Sequence, residues 1–209
     1  MKKFIALSLV LSLCLCIFAG CSKEEPAEET VRETASQDAG GLSGKHHVEI
    51  KIKDFGAIQL ELDADAAPIT VENFLNLAES GFYNGLTFHR IMEGFMMQGG
   101  DPTGTGMGGS DQNIKGEFAQ NGVNNPLSHT RGAISMARSQ NPDSASSQFF
   151  IVHEDSLFLD GQYACFGYVT EGMDVVDAVC KYSSSVVQDG NGTIAPEDQP
   201  VMTEVRVID

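Results

Sequence analysis

Apolar and polar residues alternate along residues 47–53, HVEIKIK, which puts Val48, Ile50 and Ile52 on one face of an extended chain. The period of two recurs in residues 57–63, AIQLELD, with Ile58, Leu60 and Leu62 in phase. DFG lies between the runs as a turn, so the pair predicts a β-hairpin. The period then changes. In PITVENFLNLAESG, residues 68–81, Val71, Phe74, Leu75 and Ala78 follow helical spacing, Pro68 suits a helix start and Gly81 a stop. Short apolar or alternating runs follow at LTFHRI, FMMQGG, GAISMA, SQFFIV and ACFGYV. A second short helix is predicted at MDVVDAVCKY and a closing strand at VMTEVRVI. Many short strands with two helices predict an antiparallel β-barrel or sandwich; the pattern alone does not choose between them. No internal repeat is visible.

The first residues follow a different logic. MKKFIALSLVLSLCLCIFAGC has a basic start, an apolar run from Phe4 to Phe18 and small residues before a cysteine, the three-part design of a secretory signal. The run is short for a membrane span. Ala19-Gly20-Cys21 resembles the bacterial lipoprotein cleavage box, with Phe18 where that box usually has Leu. The resemblance implies that Cys21 becomes the first mature residue and carries lipid. Residues 22–44 are rich in Glu, Ala, Ser, Thr and Gly and hold almost no large apolar residue. Such a stretch cannot bury enough surface to offset its ordering entropy. It is expected to be a solvated tether, roughly 25–30 Å on average and at most about 80 Å stretched. The expected organisation is a signal at 1–20, a lipid-anchored tether at 21–44 and one globular domain at 45–209, exported and facing outward or into a periplasm.

Charge narrows the partners. The formal net charge of the 209 residues is −16. Without Lys2 and Lys3, 11 of the 13 basic residues remain against 29 acidic ones, or −18. A chain this acidic repels phosphate backbones and has no basic stripe to offset that, so no nucleic-acid partner is expected. Of five cysteines, Cys14 and Cys16 leave with the signal and Cys21 would be acylated. Cys165 and Cys180 are expected to be buried free thiols; no Cys-x-x-Cys spacing is present. GTGMGG, residues 104–109, matches G-x-G-x-x-G in form, but no amphipathic helix follows it, so a surface loop is expected. The five histidines show no metal-binding spacing, and DSASSQ is not a nucleophile elbow. No metal and no cofactor are expected.

One stretch resists a purely structural account. FHRIMEGFMMQGGDP sets the permanent cation Arg90 among Phe88, Ile91, Phe95, Met96 and Met97. Together with GAISMARSQNPDSASSQFFI and FLDGQYACFGYVTEGMDVV, it closely resembles the cyclophilin-type peptidyl-prolyl cis-trans isomerases, over about residues 46–209. The resemblance implies a closed antiparallel eight-stranded β-barrel capped by two α-helices. It implies an enzyme that accelerates rotation about X-Pro bonds in unfolded or partly folded exported polypeptides, acting as a monomer. The chemistry fits an arginine. Amide resonance makes the rotation slow, and the twisted transition state returns a lone pair to the prolyl nitrogen. A donor placed there stabilises the twisted form more than the planar one. Arg stays charged and offers a rigid fork of donors.

By this match Arg90, Phe95 and Gln98 are the catalytic set, with Gln98 positioning the arginine. Phe95, Met96, Phe150 and Leu159 are implied to hold the proline ring. Gly106, Ala137, Arg138, Ser139 and Gln148 are implied to line the groove for residues before proline. The chain departs from the family at three of its positions. Arg138 stands where Asn is usual, at a place implied to contact backbone. Phe158 replaces a Trp implied to contact the drug cyclosporin. Tyr163 replaces a His and keeps an aromatic face with a hydroxyl. Two other functions are compatible with the motifs: a module that binds proline segments without turnover, and a membrane-anchored holding chaperone.

Overall fold

The computed structural model describes residues 41–209. The expected signal, Cys21 and most of the expected tether lie outside the described residues. The folded part reaches back to Leu42, which packs against the core, and the Gly44 amide donates to Asp65 at 2.9 Å.

The alternating runs become strands β1 (Lys45–Ile52) and β2 (Gly56–Asp63), paired with Ile50 opposite Ile58 and Val48 opposite Leu60. All six apolar residues of the two in-phase rows are buried. The helical pattern becomes α1 (Pro68–Glu79). Then come β3 (Thr87–Met92), β4 (Met96–Asp101), β5 (Ala133–Met136), β6 (Phe149–Val152), β7 (Cys165–Glu171), α2 (Met173–Ser183) and β8 (Met202–Val207). Every predicted strand and both helices are present. The predicted hairpin is β1–β2; β3–β4 and β5–β6 also pair as neighbours in sequence, and the sheet order is β3-β4-β6-β5-β7-β2-β1-β8.

All strand pairings of the sheet are antiparallel, and the sheet curls until its outer strands meet. Thr87 of β3 bridges Val201, beside β8, and the Phe88 amide donates to Pro200 O at 2.9 Å. This is the barrel alternative. The two helices lie toward opposite ends of β2: Val175 of α2 packs close to Gly56, whereas α1 follows the Asp63 end. Phe74 of α1 enters the barrel among Tyr83, Phe149 and Phe166, with ring centroids 5.0–5.4 Å apart. Pro68 opens α1, and no residue at its cap position holds the first amides. Glu117, from a distant loop, does so instead: its carboxylate accepts from Ile69 N, Thr70 N and Thr70 Oγ1 at 3.1, 2.8 and 2.7 Å. Cys165 and Cys180 are buried free thiols, and burial pushes both up to about 12.

Candidate active site

Strand periodicity separates the apolar residues around Arg90 into two groups. Across β3, β4, β6 and β5 the row Ile91–Met97–Ile151–Ile134 is in register and faces the barrel core. The neighbouring row, Arg90–Gln98–Phe150–Ser135, is one residue away on each strand and therefore faces the other way. Phe150, Met96, Val152 and Leu159 form a second, smaller apolar cluster there, joined by Phe95, Ala137 and Tyr163. The surplus of apolar residues near Arg90 thus serves two faces of the same strands.

That second face carries a cavity of about 160 Å³. Phe95, Met96, Phe150 and Leu159 supply apolar walls, and Arg90, Gln98 and Tyr163 complete the rim. The guanidinium of Arg90 is fixed from three directions. Nε donates to Asn191 O at 2.8 Å, Nη1 to Gln98 Oε1 at 3.3 Å, and Nη2 lies 3.3 Å from Met92 Sδ. Burial presses the arginine below its usual pKa, and the Asp189 carboxylate opposes this; a guanidinium nevertheless stays protonated in a protein. Gln98 is held in turn: its Nε2 donates to Gln148 Oε1 at 2.9 Å, and Gln148 donates to Gly106 O and Gly108 O at 3.1 and 2.7 Å.

Behind Phe150 lies a polar support. His129 is fully buried and stacks on the Phe150 ring with centroids 6.0 Å apart. Its Nδ1 faces Asp160 at 2.8 Å and its Nε2 faces the Ser135 hydroxyl at 2.9 Å. Burial lowers the His129 pKa against the pull of Asp160, so the ring is neutral and donates to the carboxylate. Asp160 also accepts from Ser128 Oγ and His129 N at 2.6 and 2.7 Å, which fixes the turn carrying Leu159.

A second cavity, about 340 Å³, adjoins the first and shares Gln98, Ala137 and Arg138 with it. Gly106, Met107 and Gly108 form one side; Ser139, Ser144, Ser146 and Gln148 form the other. The glycine-rich loop is tethered from below by Asp101, which is buried. Asp101 accepts from Thr103 N, Thr103 Oγ1, Thr105 N, Gly106 N and Gly108 N at 2.7, 2.9, 3.1, 2.6 and 3.1 Å. Burial alone would raise this carboxyl; the hydrogen bonds from Thr103, Gly108 and Gly106 outweigh it and hold the pKa below the usual range. Gly106 has φ +83°, and a Cβ there would approach the buried His89 ring at 3.4 Å, so this turn of the loop is a glycine position.

An apolar pocket with a fixed cationic donor on its rim can seat a non-polar ring and stabilise a lone pair developing beside it. The family model for cyclophilin-type peptidyl-prolyl cis-trans isomerases, described as "Cyclophilin type peptidyl-prolyl cis-trans isomerase/CLD", matches residues 47–207. The chain belongs to this family. It is 49% identical over 123 residues to peptidyl-prolyl cis-trans isomerase B of Bacillus subtilis, covering 59% of this chain and 82% of that protein. It is 38% identical over 184 residues to a probable peptidyl-prolyl cis-trans isomerase of Brucella suis, covering 82% and 88%. A crystal structure of a cyclophilin type isomerase from Cryptosporidium parvum matches with TM-score 0.69 and 29% identity, over 79% of this chain and 99% of that one. The same protein solved in the presence of the dipeptide Ala-Pro matches with TM-score 0.68.

The residues expected from the cyclophilin motifs converge, but not on a single cavity. Arg90, Phe95, Met96, Gln98, Phe150, Leu159 and Tyr163 line the smaller one, and Gly106, Ser139 and Gln148 the larger. Ala137 and Arg138 form the wall between them. Phe158 lines neither; it is 66% exposed and stands over Phe95 with centroids 5.6 Å apart. Arg138 lines both cavities, and its side chain has intramolecular partners of its own. Its guanidinium lies over the Tyr163 ring at 4.6 Å and over the Phe118 ring at 5.1 Å, contacts that an Asn side chain is too short and uncharged to make. The glycine-rich loop, read from its spacing as a surface loop, forms one wall of the larger cavity through Gly106, the position the family motifs implied, and also through Met107 and Gly108. Sequence reasoning did not find Asn191, whose carbonyl holds Arg90, or Asp101. Asn191 lies in a polar stretch without periodicity; Asp101 could have been found as the lone acid opening a run of four glycines.

Proposed function

We propose that this isomerase works through Arg90, with the proline ring seated between Phe95, Met96, Phe150 and Leu159 and the preceding residues laid past Gln98 and Ala137 into the second cavity. The observation that carries it is the shared register of Arg90, Gln98 and Phe150, which sets a fixed guanidinium beside an apolar pocket. As the X-Pro bond twists, conjugation is lost and the nitrogen becomes a hydrogen-bond acceptor. A guanidinium N–H already aimed there gains energy in the twisted state only, which is the differential that lowers a barrier. Apolar walls exclude water and strengthen that contact. Gln98 keeps the arginine from swinging away. The Cryptosporidium relative solved with Ala-Pro is consistent with proline peptides as the ligand class. In a protease-coupled assay on a short X-Pro peptide, Arg90→Ala is expected to lose about 10²–10³-fold in kcat/KM with circular dichroism unchanged; full activity in that variant would remove Arg90 from the mechanism.

We further propose that the enzyme is exported and anchored through lipid on Cys21, where it meets newly exported chains with wrong prolyl isomers. Lys2-Lys3, the apolar run and Ala19-Gly20-Cys21 support this, in that order along the chain. Two or three acyl chains, each CH₂ contributing about 0.8 kcal/mol when buried, suffice for stable anchoring. Mass spectrometry of the mature protein is expected to find lipid on Cys21; an unmodified N-terminus at another residue would end the proposal.

A further inference from the structure

Four arginines lie among the described residues, and they divide by their partners. Arg131 pairs with Asp177 and Glu154, and Arg206 with Glu49 and Glu204. Arg90 and Arg138 have no carboxylate within 4.0 Å among the described residues, although acidic residues far outnumber basic ones. Both are at the groove. The lone charge of Arg90 is accounted for by the isomerisation. That of Arg138 is not, since nothing in the rotation of the X-Pro bond needs a second cation.

The guanidinium of Arg138 is held rigidly. It lies over the rings of Tyr163 and Phe118, Nε and Nη2 donate to Gln162 O at 3.0 and 2.8 Å, and Nη1 donates to Ser139 O at 2.9 Å. Three of its five N–H donors are used in this way, which leaves two. The group lines both cavities, and the other polar side chains of the second are the neutral Gln98, Ser139, Ser144, Ser146 and Gln148. The nearby carboxylate of Asp101 is turned under the loop and occupied by its own five donors. The cavity therefore presents one fixed positive charge and neutral hydrogen-bonding groups, in a domain that is otherwise strongly acidic.

In an extended peptide, side chains two residues apart point to the same side. With proline in the smaller cavity, the residue two before it therefore points into the larger one. We propose that Arg138 makes this isomerase selective for proline segments with Glu or Asp at the second position before proline. This rests on the seating of proline described under Proposed function. The chain's own Glu24-Glu25-Pro26 is a segment of this class.

The test measures kcat/KM of the full chain on one proline peptide series with Glu, Gln or Lys two positions before proline. Residues 22–29, SKEEPAEE, and the same peptide with Glu24→Gln serve as a second pair. Glu is expected to exceed Gln by about threefold to tenfold, between an exposed ion pair and a charge-assisted hydrogen bond, with Lys lowest. The ratio shrinks in 1 M salt. Arg138→Gln abolishes the Glu/Gln ratio and Arg138→Lys keeps part of it. A merely structural role for Arg138 would lower turnover of both peptides alike. Equal rates for Glu and Gln in the wild type overturn the proposal, as does a ratio that survives Arg138→Gln, or an acid preference found only after the proline. Turnover of the peptides with no acid preference leaves the Arg90 mechanism standing; no turnover of any peptide overturns both.

Discussion

Replacing Asp101 by Asn tests whether the groove depends on one buried carboxylate. In the wild type its two oxygens accept from five donors, two on one oxygen and three on the other. Asn keeps a single acceptor oxygen and turns an NH₂ toward amides that have nothing to offer it. With NH₂ in place of Oδ2 three amides are stranded; with NH₂ in place of Oδ1 the Thr103 hydroxyl can turn to accept, and the Thr103 amide is left facing a donor. Hydrogen bonds to a charged group contribute about 1.5–3 kcal/mol each, and stranding a buried partner costs about 1–3 kcal/mol. After local relaxation a net loss of about 3 kcal/mol is expected, roughly 6–12 °C in Tm for a domain of this size. The same change should reach the chemistry. Gly106 O and Gly108 O hold Gln148, Gln148 holds Gln98, and Gln98 holds Arg90. Loosening the loop lets the guanidinium drift, and small misplacements of a positioned group are costly; about a tenfold fall in kcat/KM is expected at temperatures where the variant is folded. Thermal unfolding by circular dichroism and a peptide exchange assay at 10 °C check the two parts. A variant with wild-type Tm and kcat/KM within twofold of wild type would refute the reasoning. Because the hydrogen bonds hold this carboxyl below its usual pKa, its contribution is complete above about pH 4, the unfolded value. It is lost as pH falls through the lower folded value.

Three further outcomes follow from other parts of the structure. Glu117→Ala should destabilise by about 2–3 kcal/mol, because it strips the first turn of α1 of its only side-chain acceptor among the described residues; a lower urea midpoint with unchanged slope is the readout. His89 and His129 are buried, and burial lowers both pKa values; Asp101 opposes this at His89 while Arg90 adds to it, and Asp160 opposes it at His129. The unfolded chain then binds more protons below about pH 6.5, so stability should fall from pH 7.5 to 5.5 by up to about 1.4 kcal/mol per histidine, and a flat urea profile over that range would contradict it. Phe158→Trp should leave peptide turnover within about twofold and tighten cyclosporin inhibition by about tenfold, the scale of an added aromatic anchor, measured as inhibition of the same exchange assay.

Local order was legible because it is local. Alternation at Val48–Ile52 and Ile58–Leu62 could only be an extended pair with one buried face, and the spacing of Val71, Phe74, Leu75 and Ala78 could only be one side of a helix. The order of the strands was not legible, since it depends on which edges meet, and the Thr87–Val201 closure joins residues with no pattern in common. The cyclophilin motifs pointed to Arg90, Gln98 and Phe150, which the strands set side by side; what motifs cannot carry is geometry. Met97 and Ile91 read like Met96 and Phe95, yet a one-residue shift sends them to the opposite face. Arg138 looked like a substitution at a backbone contact, and its stacking on Phe118 requires a residue 20 positions away that no local rule connects to it. Asn191 acts through its carbonyl, a group every residue has, so its identity gave no signal.

The central claim is that Arg90 acts on the twisted bond and not on the resting peptide. NMR exchange spectroscopy on a proline peptide measures the cis–trans rate on the enzyme and the affinity in one sample. For Arg90→Ala the exchange rate is expected to fall by about 10²–10³-fold, with the peptide Kd changed by less than about threefold. Exchange at the wild-type rate, or a loss explained entirely by weaker binding, would contradict it.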